Sequence, residues 1–249
     1  MTTAHAIPQY RQVAETLRRR ILDGLYRQGR VMPPASELER QFSVSNITIR
    51  RALSILAHEG WITGRRGLGT VVNPRPEDHR VAIAVSGNFR DWLDSAGSTS
   101  LPIEQSVMEV SRAPGPAAVA RTLGLAPEAP LWSMRRRRRL EGRPLSYHVN
   151  YGAPERFAGV TNETMAGNRN FVDVMRDDLG LGLERMDQTV EAAVADRDLA
   201  EILEVDFGDP LYFIENVYRV AGDAAVAVTH LFFRGDRYVY QASISLNGQ

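Results

Sequence analysis

The sequence predicts an α+β chain in two parts: a small helical head with a strand hairpin, and a mainly antiparallel sheet carrying helices. Three observations carry this. Apolar residues recur every three to four positions through residues 10–56 and give way to a Gly-rich hairpin. The rest of the chain nearly repeats itself at an offset of 80 residues. Charge is split as well. Residues 1–76 hold 12 Arg against 5 acids (+7) and residues 77–249 hold 18 against 25 (−7), so the whole chain is neutral.

In the head, Tyr10, Val13, Leu17 and Ile21 form one helical stripe, with Ala14 and Leu22 beside it, and Gly24 ends the helix. Arg18, Arg19 and Arg20 lie mostly off the stripe. A short second helix over about residues 36–42 turns Leu38 and Phe42 inward. A tight turn through Ser43, Val44 and Ser45 leads to a third helix over about residues 46–59, capped by Ser45, burying Ile49, Ala52, Leu53 and Leu56, and ending at Gly60. The basic hairpin Gly64-Arg65-Arg66-Gly67-Leu68-Gly69 follows. This is the layout of a winged helix-turn-helix, which sets its last helix in the DNA major groove. A basic head on an acidic body points to a polyanion partner for the head alone.

Asn46, Ile47, Thr48, Arg50 and Arg51 stand near the exposed start of the third helix. Asn reads adenine and Arg reads guanine through paired hydrogen bonds, so Asn46 and Arg50 are the expected base readers. Thr48, Ser36, Ser45 and the helix N-terminus suit phosphate contacts. Arg51 is either a DNA contact or a solvated charge. Arg65, Arg66 and Gly67 of the hairpin are expected at a groove, the alternative being an ordinary hairpin with solvated arginines. The chain has no lysine, a bias that genomic base composition explains better than function.

Residues 73–79, Asn-Pro-Arg-Pro-Glu-Asp-His, read as a semi-rigid linker between a DNA-binding domain at 1–72 and a second domain at 80–249. In that body, strands are expected at 107–112 and 189–194, helices at 116–123 and 198–203, and hairpins over about 131–151 and 211–233, turning near Glu141-Gly142 and Gly222-Asp223. A further helix over about 171–179 lies between the copies. Two copies cannot make a solenoid, so one closed domain is expected.

The absence of cysteine excludes disulfides, thiolate nucleophiles and Cys-ligated zinc. The start has no apolar run after a basic segment, so no signal peptide is expected, and no apolar run approaches the ~18 residues of a membrane span. These readings suit a cytoplasmic protein with no membrane partner. The five histidines are scattered without metal-ligand spacing, and no nucleophile elbow or phosphate-binding loop is present. No catalytic residue, metal or cofactor is expected.

The head's motifs, Tyr10-Arg-Gln-Val-Ala, Leu17-Arg, Val44-Ser-Asn-Ile-Thr-Ile-Arg-Arg-Ala-Leu53, Glu59-Gly60 and Gly67-Leu-Gly-Thr70, resemble the GntR family of bacterial transcription regulators. Two departures stand out. Met32-Pro33-Pro34-Ala35 replaces the family's Leu-Pro-Ser-Glu, and Asn46 stands where arginine is usual. Leu123-Gly-Leu, Arg136-Arg-Arg138, Gly142-Arg-Pro144, Phe171-Val-Asp-Val-Met175 and Phe233-Arg-Gly-Asp-Arg-Tyr238 extend the resemblance to the effector (UTRA) domain of its HutC subfamily. The resemblance implies a chorismate-lyase-like fold that senses small molecules.

The run Arg135–Arg139 falls in an expected strand, so alternation places Arg136 and Arg138 on the face of Trp132 and Met134, and the other three on the opposite face, solvated or paired with acids. Arginines among apolar residues require an anionic partner. The resemblance implies an effector held by this arginine pair; the alternative is salt bridges within the domain. It also implies pocket positions at Phe89, Arg90, His148, Asn170, Val172 and Phe233. Glutamates frequent in the family are replaced here by His148 and Ala227, and Arg90 replaces a small hydroxyl residue, which favours a small anionic metabolite. His148 on its own reads more naturally as a structural histidine. Arg234-Gly-Asp-Arg237 reads as an internal charge cluster.

The function expected is an effector-responsive transcription regulator, a repressor bound as a homodimer to a palindromic operator in double-stranded DNA. The competing readings are an effector-blind dimeric DNA-binding protein and a lyase-like enzyme, since a fold does not fix a function.

Overall fold

The computed structural model describes residues 8–74, 81–85 and 103–242. The chain divides into two compact units, residues 1–79 and 80–249.

The first unit holds α1 (Gln9–Leu22), α2 (Ala35–Phe42), α3 (Asn46–His58) and a two-stranded antiparallel hairpin of β1 (Ile62–Arg65) and β2 (Gly69–Val72). Its core joins Val13, Ala14 and Leu17 of α1 to Leu38 of α2, Ile49, Ala52 and Leu56 of α3, and Ile62 and Val72 of the hairpin. The apolar periodicity of the three helices therefore converges on one centre. Leu22 departs from expectation: it lies in the last turn of α1, outside that core, and is 43% exposed. Ser43, at φ 52°, makes the tight corner between α2 and α3. Ser45 caps α3 by accepting from the Thr48 amide at 3.4 Å. Arg18 of α1 donates to both carboxylate oxygens of Glu59, at 2.6 and 2.8 Å, and locks α1 to the end of α3.

The second unit is built on a six-stranded antiparallel sheet in the order β4-β5-β6-β9-β8-β7. The strands are β4 (Ile103–Pro114), β5 (Pro130–Leu140), β6 (Arg143–Gly152), β7 (Leu183–Val194), β8 (Pro210–Val220) and β9 (Ala225–Arg234). The repeat is structural. Arg112 pairs with Trp132 and Ala192 with Tyr212; Pro114 pairs with Pro130 and Val194 with Pro210. The copies meet at β6 and β9, where Val149 faces His230 and Asn150 faces Thr229. Both hairpins turn where expected, through Glu141 and Gly142 at positive φ, and through Gly222 and Asp223 at positive φ. A separate pair, β3 (Val81–Val85) and β10 (Tyr238–Ala242), is parallel.

Each face of the sheet is covered differently. The short helices α4 (Ala117–Thr122) and α7 (Arg197–Leu203) pack on one face against Leu131, Tyr147, Val149, Leu211, Val217 and Val228. The other face carries α5 (Pro154–Phe157), a 3-10 turn (Glu163–Asn168) and α6 (Phe171–Asp173) over Trp132, Met134 and Tyr218. Gly152 makes room for this cover: a Cβ there would stand 2.2 Å from the Phe157 ring. The helix expected over 171–179 is α only in its first turn and then widens into a π turn, Val174–Asp178, with the Leu179 amide donating to Val174. The wider turn keeps Val174 and Met175 in the core, while Asp178 accepts two bonds from Arg169 at 2.7 and 2.9 Å.

Candidate functional site

In the head, the start of α3 is presented to solvent. Ser36, Ser45, Arg50, Arg51, Arg65, Arg66 and Gly67 are exposed, and Asn46 and Thr48 are half-buried. Thr48 also bonds the Ser45 hydroxyl at 3.0 Å, so both side chains are already organised around the helix N-terminus. The Asn46 amide donates to the Glu39 carboxylate of α2. Asparagine reads adenine by donating with its amide nitrogen and accepting with its oxygen. One of that nitrogen's two hydrogens is engaged with Glu39. Arg51 rests over the Tyr10 ring with its guanidinium carbon 5.6 Å from the centroid, while Arg50 is free of such a contact among those described. Gly67 and Gly69, at φ 80° and 101°, form the tip and exit of the hairpin that displays Arg65 and Arg66. Arg18 and Arg20 are occupied structurally, Arg20 through Gln41 at 3.0 Å and the Phe42 ring at 4.8 Å.

In the body, the register gathers polar groups in rows on one sheet face. Gln105, Arg138, Ser146 and Phe233 form one row; Val107, Arg136, His148 and Leu231 form the next; Met134, Asn150 and Thr229 form the third. Alternation in β5 thus places Arg136 and Arg138 with Trp132 and Met134, as expected. Arg136 is 2% exposed. Its Nε donates to Asn150 Oδ1 at 3.0 Å and its Nη1 to Gln105 Oε1 at 2.9 Å. Arg138 is more accessible; its Nε donates to Gln105 Oε1 at 3.3 Å and its Nη2 to Asn170 Oδ1 at 3.4 Å. Every bond described for the two guanidiniums therefore ends on a neutral amide oxygen. No carboxylate among the described residues pairs with either, so the internal salt bridges weighed from sequence are not present there.

Burial and the neighbouring Arg138 press the Arg136 guanidinium down to about 9, and burial lowers Arg138 as well. His148, 3% exposed, is held well below the ordinary histidine range by burial and then by Arg138 and Arg136, and it is neutral at pH 7. Its Nε2 lies 2.9 Å from the Ser146 hydroxyl, and its ring meets Phe233 edge-on at 5.6 Å. Burial pushes the Tyr238 phenol up to about 12, beside the Phe233 ring at 4.2 Å. Phe171 closes the site toward the helices, 6.0 Å from the Arg136 guanidinium carbon. Val172 is buried in the core with Phe171 and Val174. Phe89 and Arg90 lie outside the described residues.

The structure adds Gln105, Ser146, Asn150 and Tyr238 to this site. Ser146 and Asn150 alternate with His148 in Leu145-Ser-Tyr-His-Val-Asn-Tyr151, a period-two signal visible in the sequence. Gln105 and Tyr238 reach the site only through pairing distant in the chain. On the opposite face, Arg135 and Arg139 pair with Glu109 and Glu204 at 3.2 and 2.7 Å, whereas Arg137 differs, donating to the Ile202 carbonyl at 3.5 Å rather than to an acid. Arg234 and Asp236 form the internal pair expected, at 2.8 Å. An open groove of about 490 Å³ lies on the sheet's outer part, between Val110, Arg112, Trp132 and Asn162, and does not include the arginine pair. Among the described residues, no three His, Asp or Glu side chains gather as a metal site requires, and no helix is long and apolar enough to cross a membrane.

Comparison with known proteins agrees with both units. Residues 9–72 match the bacterial regulatory proteins of the gntR family and residues 101–239 match the UTRA domain. The chain is 26% identical over 237 residues to the HTH-type transcriptional repressor NagR of Bacillus subtilis, covering 94% of this chain and 93% of the relative. It is 26% identical over 226 residues to the probable fructoselysine utilization operon transcriptional repressor of Escherichia coli, covering 89% and 90%. The crystal structure of PhnF from Mycobacterium smegmatis shares the fold, with a TM-score of 0.56 at 23% identity over 94% of this chain and all of that one. The two sequence relatives are named transcriptional repressors and the head matches a family of regulatory proteins, which sets aside the lyase-like reading. A helix-turn-helix head followed in the chain by a domain with a buried arginine pair, matched over most of the chain, makes this protein a member of the GntR family of bacterial transcriptional regulators that carry a UTRA domain.

Proposed function

We propose that this regulator is a repressor that leaves a palindromic operator when a small anionic metabolite binds at Arg136 and Arg138. The observation that carries the reading is the pair of guanidiniums set on a buried face, one of them 2% exposed, with only neutral oxygens as described partners. A buried cation without an anion is unfavourable by several kcal/mol, roughly, and an entering anion removes that penalty. Neutral His148 stands beside the pair as a hydrogen-bonding group rather than a third cation. The repressor sense is supported by the names of two relatives, each a repressor.

The DNA contacts proposed are Ser36, Ser45, Asn46, Thr48, Arg50, Arg51, Arg65, Arg66 and Gly67, and the effector contacts are Arg136, Arg138, His148, Asn170 and Phe233, with Phe89, Arg90 and Val172 carried over from the family resemblance. A homodimer would set two heads on two half-sites one helical turn apart, or a multiple of that. The effector must bind the released arrangement more tightly than the DNA-bound one, since equal affinity shifts nothing. Titration calorimetry with phosphorylated, sulfonated and carboxylated metabolites beside neutral and cationic analogues tests the ligand class. Binding confined to anions is expected; binding only to neutral or cationic compounds would overturn it.

A further inference from the structure

The structure assigns a base-reading role to Ile47: we infer that its side chain reads a thymine through the C5 methyl group in the major groove. The assignment rests on the DNA-binding role of the head. Three observations meet at this residue. Ile47 is 70% exposed and takes no part in the head's core, so packing does not explain a large apolar side chain there. It lies in the first turn of α3, opposite the buried stripe of Ile49, Ala52 and Leu56, on one line with Arg51 and Ser54 at helical spacing. A β-branched residue is also a poorer choice than Ala or Glu for an exposed helix position, so local propensity does not select it either.

The surroundings define what such a side chain can touch. Arg50 and Arg51 flank it on the helix, and the hairpin adds Arg65 and Arg66, so the unit's charge, +7 over residues 1–76, draws a duplex rather than an apolar protein surface. Asn46, one residue earlier, has its amide nitrogen committed to Glu39 and is half-buried. One of its two amide hydrogens is thus turned toward α2, and Ile47 is the most outward side chain of the first turn. In a major groove the one apolar group a base pair offers is the thymine methyl, and contact between that methyl and an aliphatic side chain discriminates T from C.

The test begins with a duplex enriched by the full-length protein from a randomised pool. Each thymine of its half-sites is then replaced singly by uracil, which removes only the methyl, and binding is followed by fluorescence anisotropy. For the native protein, one thymine per half-site is expected to respond with about a fourfold loss of affinity, the partition value of one methyl group. Ile47→Ala should bind the thymine duplex more weakly and show no further loss with uracil, while Ile47→Val keeps the methyl response. Native binding indifferent to uracil at every position overturns the assignment, as does an Ile47→Ala protein that responds as the native one does. A native protein that enriches no duplex overturns the DNA-binding role of the head itself, and this assignment with it.

Discussion

Replacing Arg136 by methionine separates a binding arginine from a structural one. The substitution removes a buried cation and two hydrogen bonds, to Asn150 at 3.0 Å and Gln105 at 2.9 Å. Asn150 keeps the bond from its Nδ2 to Thr229 at 2.9 Å, and Gln105 keeps the Arg138 donor at 3.3 Å. The lost partnership of an acceptor costs about 1–3 kcal/mol. Against it stands relief from burying a guanidinium that its surroundings disfavour as a cation, since exchanging buried ionic groups for apolar ones of similar volume is often neutral or stabilising by about 1–4 kcal/mol. The two terms oppose each other, so the ligand-free protein should change by no more than about 3 kcal/mol in either direction. The ligand response should change far more. An anion present at a hundred times its Kd stabilises the native domain by about 2.7 kcal/mol, and in a domain of 150–250 residues each kcal/mol moves Tm by roughly 2–4 °C. Thermal unfolding across a series of inorganic phosphate or sulfate concentrations is the assay. The native protein should rise in Tm with anion at constant ionic strength, and Arg136→Met should lose that rise while keeping its ligand-free Tm within about 10 °C. A variant destabilised by more than about 4 kcal/mol that still responds to anion would refute the reasoning, because that is the behaviour of an arginine holding the fold through an internal partner.

Other outcomes follow from the same geometry. His148 is depressed well below its unfolded value near 6.5, so the unfolded chain takes up a proton that the native chain resists as pH falls; stability is complete above about 6.5 and is lost below it, and urea titrations from pH 7 to 5 should show that slope reduced in His148→Gln. Gly152→Ala places a methyl against the Phe157 ring and should destabilise the second unit by about 1–3 kcal/mol in urea, with anion recognition retained under native conditions. Arg50→Ala should lower discrimination at one base pair by roughly 1–3 kcal/mol in binding to randomised operators; unchanged specificity would remove Arg50 from the readers.

How much of this was legible in the sequence varies by element. The three helices of the head were legible because each carries a 3.6-residue apolar stripe and the turns between them carry their own signals, Ser45 as a cap and Gly60 at positive φ. The sheet was legible because the chain states its layout twice; one copy alone would have shown a strand, a helix and a single hairpin with no order among them. Arg136 and Arg138 followed from strand alternation. What escaped needed information that no local window holds. The bond from Asn46 to Glu39 forms only once α2 packs beside α3, and Gln105 joins the arginines only through the β4–β5 register. The π turn after Phe171 was hidden because a widened turn buries nearly the same residues as an α-helix would.

Regulation requires that occupancy of the arginine face change the affinity for DNA. Affinity of the full-length protein for its enriched duplex should be measured by anisotropy at fixed ionic strength, with and without the tightest anionic metabolite found by calorimetry, for the native chain and for Arg136→Met. Release of the native protein by that metabolite, together with a variant that binds the duplex normally and stays bound, is the predicted result. Native affinity unchanged by a metabolite that demonstrably occupies the arginine face would contradict it.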